Sequence, residues 1–201
     1  MVKLTAIFLC GLKVDRPFAA SICGIDELDG FSAAGVTHVL SLLDPGWPAP
    51  ENLAAFARHS RLDLRFHDIV DALPGLRPPG PEDVAALLAF GRALAETDGT
   101  HLLVHCQKGM SRSTAALTVI LAQARPNMPA AEIMAEIVRM RPRAWPNLRI
   151  LELGDRLLDR GGTLVAAAGR CYRARIAERP RLADAMIEMG RSRELDIAAC
   201  A

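Results

Sequence analysis

The 201-residue sequence predicts an α/β fold of three layers: a central, mostly parallel sheet of about four to five strands flanked by helices, followed by a C-terminal helical extension. Three observations carry this. Short apolar runs of β character alternate with helical patterns through the first two thirds of the chain. The runs THVLSLL and HLLVHC are almost continuously apolar, as strands covered on both faces should be. Beyond Arg125-Pro126 the patterning becomes helical throughout.

The elements follow in order. LTAIFL, within Leu4 to Leu12, reads as a first buried strand. The run is too short for a cleaved export signal, has one leading positive charge and lacks a small residue just before Cys10. A short helix near Asp26 to Ala34 precedes the strand in THVLSLL, and LDLRFHDI supplies the next. PEDVAALLAFGRALAE opens with Pro81, Glu82 and Asp83 in its first turn and repeats apolar residues at Val84, Leu87, Leu88 and Leu94, as an amphipathic helix does. After Asp98-Gly99 comes the strand HLLVHC. SRSTAALTVILAQA has apolar or small residues on nearly every face, the pattern of a helix buried centrally against the sheet. Helices follow in AAEIMAEIVRM, in NLRILELGDRLLDR with Asn147 as N-cap, in TLVAAAGRCYRARIAER and in RLADAMIEMG, separated by Pro142, Pro146, Gly161-Gly162 and Pro180. Residues 1–160 are read as one domain and 161–201 as a helical extension packed on it, covering a sheet edge or forming a contact between copies.

Composition narrows the function classes. A net charge of +1 offers no basic surplus for a polyanion, so nucleic acid is not expected as a partner. No stretch reaches the length of a membrane span. The five cysteines show neither metal-site nor disulfide spacing, which suits a reducing cytoplasm; no metal or cofactor is expected.

Chemistry concentrates at HCQKGMSRS. Cysteine and arginine six positions apart are weak evidence in an arginine-rich chain, and Cys10 with Arg16 shows the same spacing. Context separates the two. Cys106 to Arg112 joins an apolar strand to a helix, so the N–H groups of Gln107, Lys108, Gly109, Met110, Ser111 and Arg112 can curl around one anion at the helix N-terminus. The other site puts Asp15 and Pro17 where the anion and the helix start belong. In the phosphate cradle Gly109 answers a need for positive φ or for the closest approach to the ligand. The surroundings favour Cys106 as thiolate nucleophile, Arg112 offers a planar fork to two phosphoryl oxygens, Ser113 can hydrogen-bond the sulfur, and Ser111 can brace the loop. Strand alternation turns His105 away from Cys106. A metal site built from His101, His105 and Cys106 has no matching second cluster.

HCQKGMSRS resembles the signature of the cysteine-dependent protein-tyrosine and dual-specificity phosphatases. GVTHVLSLLD, from Gly35 to Asp44, resembles their helix-to-central-strand stretch, and IVRMRPRAWPNLRILELGDRL their closing helix, Pro-Asn and helix. FHDI followed by GL, a proline and a helix looks especially like small bacterial tyrosine-phosphatase-like proteins. The likeness spans roughly residues 5 to 160. It implies a dual-specificity-phosphatase-like fold and hydrolysis of phosphate monoesters through a phosphocysteine, on a phosphorylated protein or a small phosphomonoester. It also implies an aspartate that acts as acid and then as base. Asp68, at the end of a strand, is the preferred candidate, and Asp71, beside Leu73-Pro74-Gly75, the alternative. Asn147 is implied to steady the catalytic loop. The Trp-Pro-Asp lid of the larger tyrosine-specific enzymes is missing, and Lys108 resembles loops that handle more highly charged phosphates. A phosphate-binding module without turnover, a phosphatase of phosphoinositides or nucleotides, a sulfurtransferase and an arsenate reductase are the competing readings. Oligomeric state is left open.

Overall fold

The computed structural model describes residues 18–201. Four parallel strands form one sheet in the order β1-β4-β2-β3, with β1 at Ala19–Gly24, β2 at His38–Leu43, β3 at Ser60–Arg65 and β4 at His101–Cys106. The expected strand within Leu4 to Leu12, and the Cys10 to Arg16 spacing, lie outside the described residues. The first strand described, AASICG, escaped the patterning because it is rich in small residues. It becomes a strand by pairing with β4, where Ala20 faces Leu102 and Gly24 faces Cys106.

Alternation along β4 divides the two faces of the sheet. Leu102, Val104 and Cys106 join the larger core with Leu40 and Leu42 of β2, whereas Leu103 packs on the other side with Cys23 and Val39. The larger core is roofed by α-helices: α1 (Pro81–Ala95), α2 (Arg112–Ala124), α3 (Ala130–Met140), α4 (Leu148–Leu157) and α5 (Thr163–Glu178). The opposite face is closed by two 3-10 segments, Ile25–Phe31 and Glu51–Ala55, whose Leu28 and Leu53 complete the smaller core. The short helix expected near Asp26 is therefore a 3-10 turn; seven residues with Gly30 inside are too few to sustain an α-helix.

Helix α2 lies at the centre, packed on α1, α3, α4 and β4, with every residue from Arg112 to Ala122 buried. Its close fit to α4 depends on Gly154, where a Cβ would come within 2.4 Å of Val119 Cγ2. Two further helices, α6 (Arg181–Glu188) and α7 (Ser192–Cys200), complete the chain. They do not stand apart, since Met186 and Ala198 belong to the same core as the sheet.

Candidate active site

The loop that follows β4 is held from outside by its carbonyl groups. Gln107 O accepts from the Ile25 N–H at 3.2 Å and Met110 O from the Trp145 N–H at 2.9 Å. Ser111 O accepts from the Asn147 N–H at 3.3 Å. Arg141 donates through Nε to Gly109 O and through Nη2 to Lys108 O, both at 3.0 Å. Glu27 holds this arginine in turn, its Oε1 accepting from Arg141 Nη1 at 2.9 Å. Partial burial works against the Glu27 charge, but Arg141 and the Gly24 N–H outweigh it and leave its carboxyl below the usual range. Among the described residues, no protein acceptor engages the N–H groups of residues 107–112. A loop with its carbonyls turned out and its amides unclaimed at the start of a helix is an anion nest.

Gly109 makes this path possible through the positive φ the sequence suggests and through a close approach to the backbone of β1. Its φ is +66°, and a Cβ there would stand 2.5 Å from the carbonyl carbon of Cys23.

Cys106 and Arg112 face a cavity of about 200 Å³ lined also by Asp68, Gln107, Lys108, Met110, Ser111, Trp145, Met186, Met189 and Arg191. Ser113 Oγ lies 3.3 Å from Cys106 Sγ, within hydrogen-bond reach. Arg112 is almost wholly buried. Its Nη1 donates to Asp44 Oδ1 at 2.6 Å and to Phe66 O at 2.8 Å, and its Nη2 to Gln107 Oε1 at 3.0 Å. The Nε atom is buried with no partner among the described residues. A buried donor without an acceptor costs on the order of 1–3 kcal/mol, so this edge of the guanidinium is primed for an anion's oxygen.

The two aspartates separate clearly. Asp68 lines the cavity, and its Oδ1 accepts from Ser111 Oγ at 2.7 Å and from Asn147 Nδ2 at 2.9 Å. Asp71 is not among the lining residues and pairs with Arg193 at 2.8 Å. Asn147 caps α4, its Oδ1 accepting from the Ile150 N–H; its Nδ2 reaches Asp68, and its contact with the loop is the backbone N–H to Ser111 O. Lys108 is exposed at the rim, 3.7 Å from Asp26.

His105 faces away from Cys106, into a 2.6 Å contact with Ser41 Oγ, and His101 spends its ring nitrogens on Ser21 and Ala34 O. Burial pushes the Cys23 thiol up to about 12 and the Cys171 thiol up to about 11. Cys23 also faces the opposite side of the sheet from Cys106. Burial thus keeps both of these thiols protonated and unreactive.

Sequence reasoning missed Asp44, Arg141 and Arg191. Asp44 ends a quoted motif and Arg141 lies inside another, so both were within sight of the pattern. Arg191 has no local signal at all.

Comparison with solved structures identifies the fold. Human DUSP28 matches with a TM-score of 0.53 and 18% sequence identity, over 70% of this chain and 92% of that one. The fold is that of the protein-tyrosine and dual-specificity phosphatases. A mutant form of Tk-PTP matches at 0.52 and 20% identity, over 73% and 93% of the two chains. A human tyrosine phosphatase-like serine/threonine/tyrosine-interacting protein matches at 0.52 and 16%, over 69% and 87%. No family model and no curated protein matches the chain. The phosphatase-like fold therefore carries, at the end of its central strand, the His-Cys-Arg loop described above.

Proposed function

We propose that this protein is a phosphatase of the protein-tyrosine/dual-specificity type, hydrolysing phosphate monoesters through a phosphocysteine. The observation that carries the reading is the anion nest that follows Cys106 and lines the same cavity: among the described residues no acceptor claims the loop amides or the buried Nε of Arg112.

In the first step the Cys106 thiolate attacks phosphorus, an S–P bond forms and the P–O bond to the leaving alcohol breaks. Asp68 gives its proton to that oxygen. In the second step water attacks the phosphocysteine, Asp68 takes up a proton from it, and the thiolate leaves with Ser113 Oγ–H as hydrogen-bond donor. The loop amides and Arg112 stabilise the equatorial oxygens through both steps. Substrate is a phosphorylated protein or a small phosphomonoester; Lys108 at the rim favours one that carries further negative charge. A reducing cytoplasm suits the chemistry, because an accessible thiolate is readily oxidised. Kinship with small bacterial tyrosine-phosphatase-like proteins rests on the FHDI and GL motifs alone.

Replacing Cys106 with Ser is expected to abolish turnover of an aryl phosphate while vanadate or phosphate still binds, measured by steady-state assay and calorimetry. Undiminished turnover would exclude the cysteine mechanism. Asp68→Ala is expected to slow esters of poor leaving groups by about a hundredfold or more and activated esters far less; Asp71→Ala is expected to show no such dependence. A binding module without turnover is the second reading, favoured by Asp44 and Gln107 already occupying two nitrogens of the Arg112 fork. Phosphopeptide binding with no phosphate release would support it.

A further inference from the structure

The α6–α7 corner belongs to the wall of the active-site cavity, where Met186, Met189 and Arg191 stand opposite Cys106. Arg191 is 5% exposed. Its Nη1 lies 3.4 Å from Asp68 Oδ1, and its Nη2 donates to Ser111 Oγ at 3.1 Å. The same guanidinium is gripped from behind by Glu194, through Nε at 2.9 Å and Nη2 at 2.6 Å. Glu194 is wholly buried and is itself fixed by the Trp145 indole N–H at 2.5 Å and the Leu148 N–H at 3.2 Å. Burial disfavours the charged guanidinium, but Asp68 and Glu194 outweigh it and hold Arg191 protonated.

We propose that Arg191 is the positioning residue for Asp68, so that the C-terminal extension supplies part of the catalytic geometry. The inference rests on the phosphatase reading above. Its basis is the way Asp68 is held. Ser111 Oγ, Asn147 Nδ2 and Arg191 Nη1 all approach Oδ1, and among the described residues no donor engages Oδ2. One oxygen is anchored and the other is left to carry the proton. Arg191 acts by two routes, one directly on Oδ1 and one through Ser111. By donating to Ser111 Oγ it occupies a lone pair of that hydroxyl and directs the hydroxyl hydrogen toward Asp68. Glu194, Trp145 and Leu148 keep the guanidinium at this distance, as a buried charge pair with its hydrogen bonds satisfied can. A carboxyl rotated out of line by even a small amount loses much of its advantage as an acid.

Arg191→Met alone would strand Glu194 as a buried, unpaired carboxylate, so the informative change is R191M with E194Q, which removes that charge and keeps a carbonyl acceptor for one of the two donors, Trp145 Nε1 or the Leu148 N–H. Arg191→Lys, which keeps a charge beside Glu194 but loses the fork, is read in the same way, and thermal melting confirms that both variants are folded at the assay temperature. The measurement is kcat/KM on phenyl phosphate and on difluoromethylumbelliferyl phosphate, whose leaving group needs little protonation. The expected result is a loss about tenfold or more greater on phenyl phosphate than on the activated ester. Adding Asp68→Asn to the double variant is then expected to cost markedly less on phenyl phosphate than the same change costs the unaltered protein. Equal losses on the two esters, or losses that multiply in full with Asp68→Asn, would overturn the assignment of Arg191 and leave the phosphatase reading standing. No turnover of either ester by the unaltered protein would overturn the phosphatase reading, and this one with it.

Discussion

Gly109 shows how much of the site depends on a single hydrogen. At φ +66° an L side chain is strained by about 1–2 kcal/mol. Its Cβ would also strike the Cys23 backbone at 2.5 Å, a neighbour in β1 that cannot move without the sheet. Gly109→Ala is therefore expected to destabilise the protein by about 1–3 kcal/mol and, by displacing the amides on either side, to lower kcat/KM on an aryl phosphate by about a hundredfold. A denaturant melt and a steady-state assay check the two effects separately. Arg112 is the complementary case. Residue type and spacing identify it in the sequence, yet its orientation depends on Asp44 and Phe66 O, which belong to other parts of the chain.

The central strands β2 and β4 are joined on the face away from Cys106 by a buried pair, Ser41 and His105. Burial holds the imidazole neutral and lowers its pKa to about 4, with the nearby Arg61 adding to the effect. In the unfolded chain the same imidazole binds a proton near its ordinary value of 6.5. Between these values the unfolded state carries the extra proton, so the contribution of His105 to stability is complete above about pH 6.5 and is lost as the pH falls toward 4. The loss amounts to roughly 3 kcal/mol. Urea unfolding at pH 7 and pH 4.5 should show it, and a His105→Gln variant should have a shallower pH dependence over that interval. An equal slope in the variant would exclude His105 as the source. Patterning located β2, β4, α1 and α2 because each has a long, one-character run. It missed β1, whose strand character comes from its neighbour, and the 3-10 segment Glu51–Ala55, and it reads the other 3-10 segment as a generic helix.

The extension from residue 161 onward shares the core of the rest of the molecule. Tyr172, wholly buried, stacks on Trp145 with ring centroids 4.6 Å apart and donates its hydroxyl to Pro146 O. Leu164, Ala167 and Ala168 are buried beside it, and Glu194 holds Trp145 and Leu148 from α7. Burying Tyr172 and Leu164 alone is worth about 2–3 kcal/mol each, and a domain of this kind has only about 5–15 kcal/mol in hand. Deleting residues 161–201 is expected to abolish the cooperative thermal transition, as circular dichroism would show, rather than to release an active phosphatase core. A truncated chain that melted sharply and turned over aryl phosphates normally would contradict this.

Local sequence was enough to locate the His-Cys-Arg loop, because the cysteine, the backbone nest and the arginine lie within a few residues on one strand-to-helix turn. It was enough for the parallel α/β character too, since apolar runs and helical periods are local signals. Only the folded chain decided which aspartate faces Cys106, that Asp44 and Arg141 hold the loop and its arginine, and that Arg191 reaches the same cavity. Those contacts join segments far apart along the backbone, and a long-range contact leaves no imprint on the composition or periodicity of either partner.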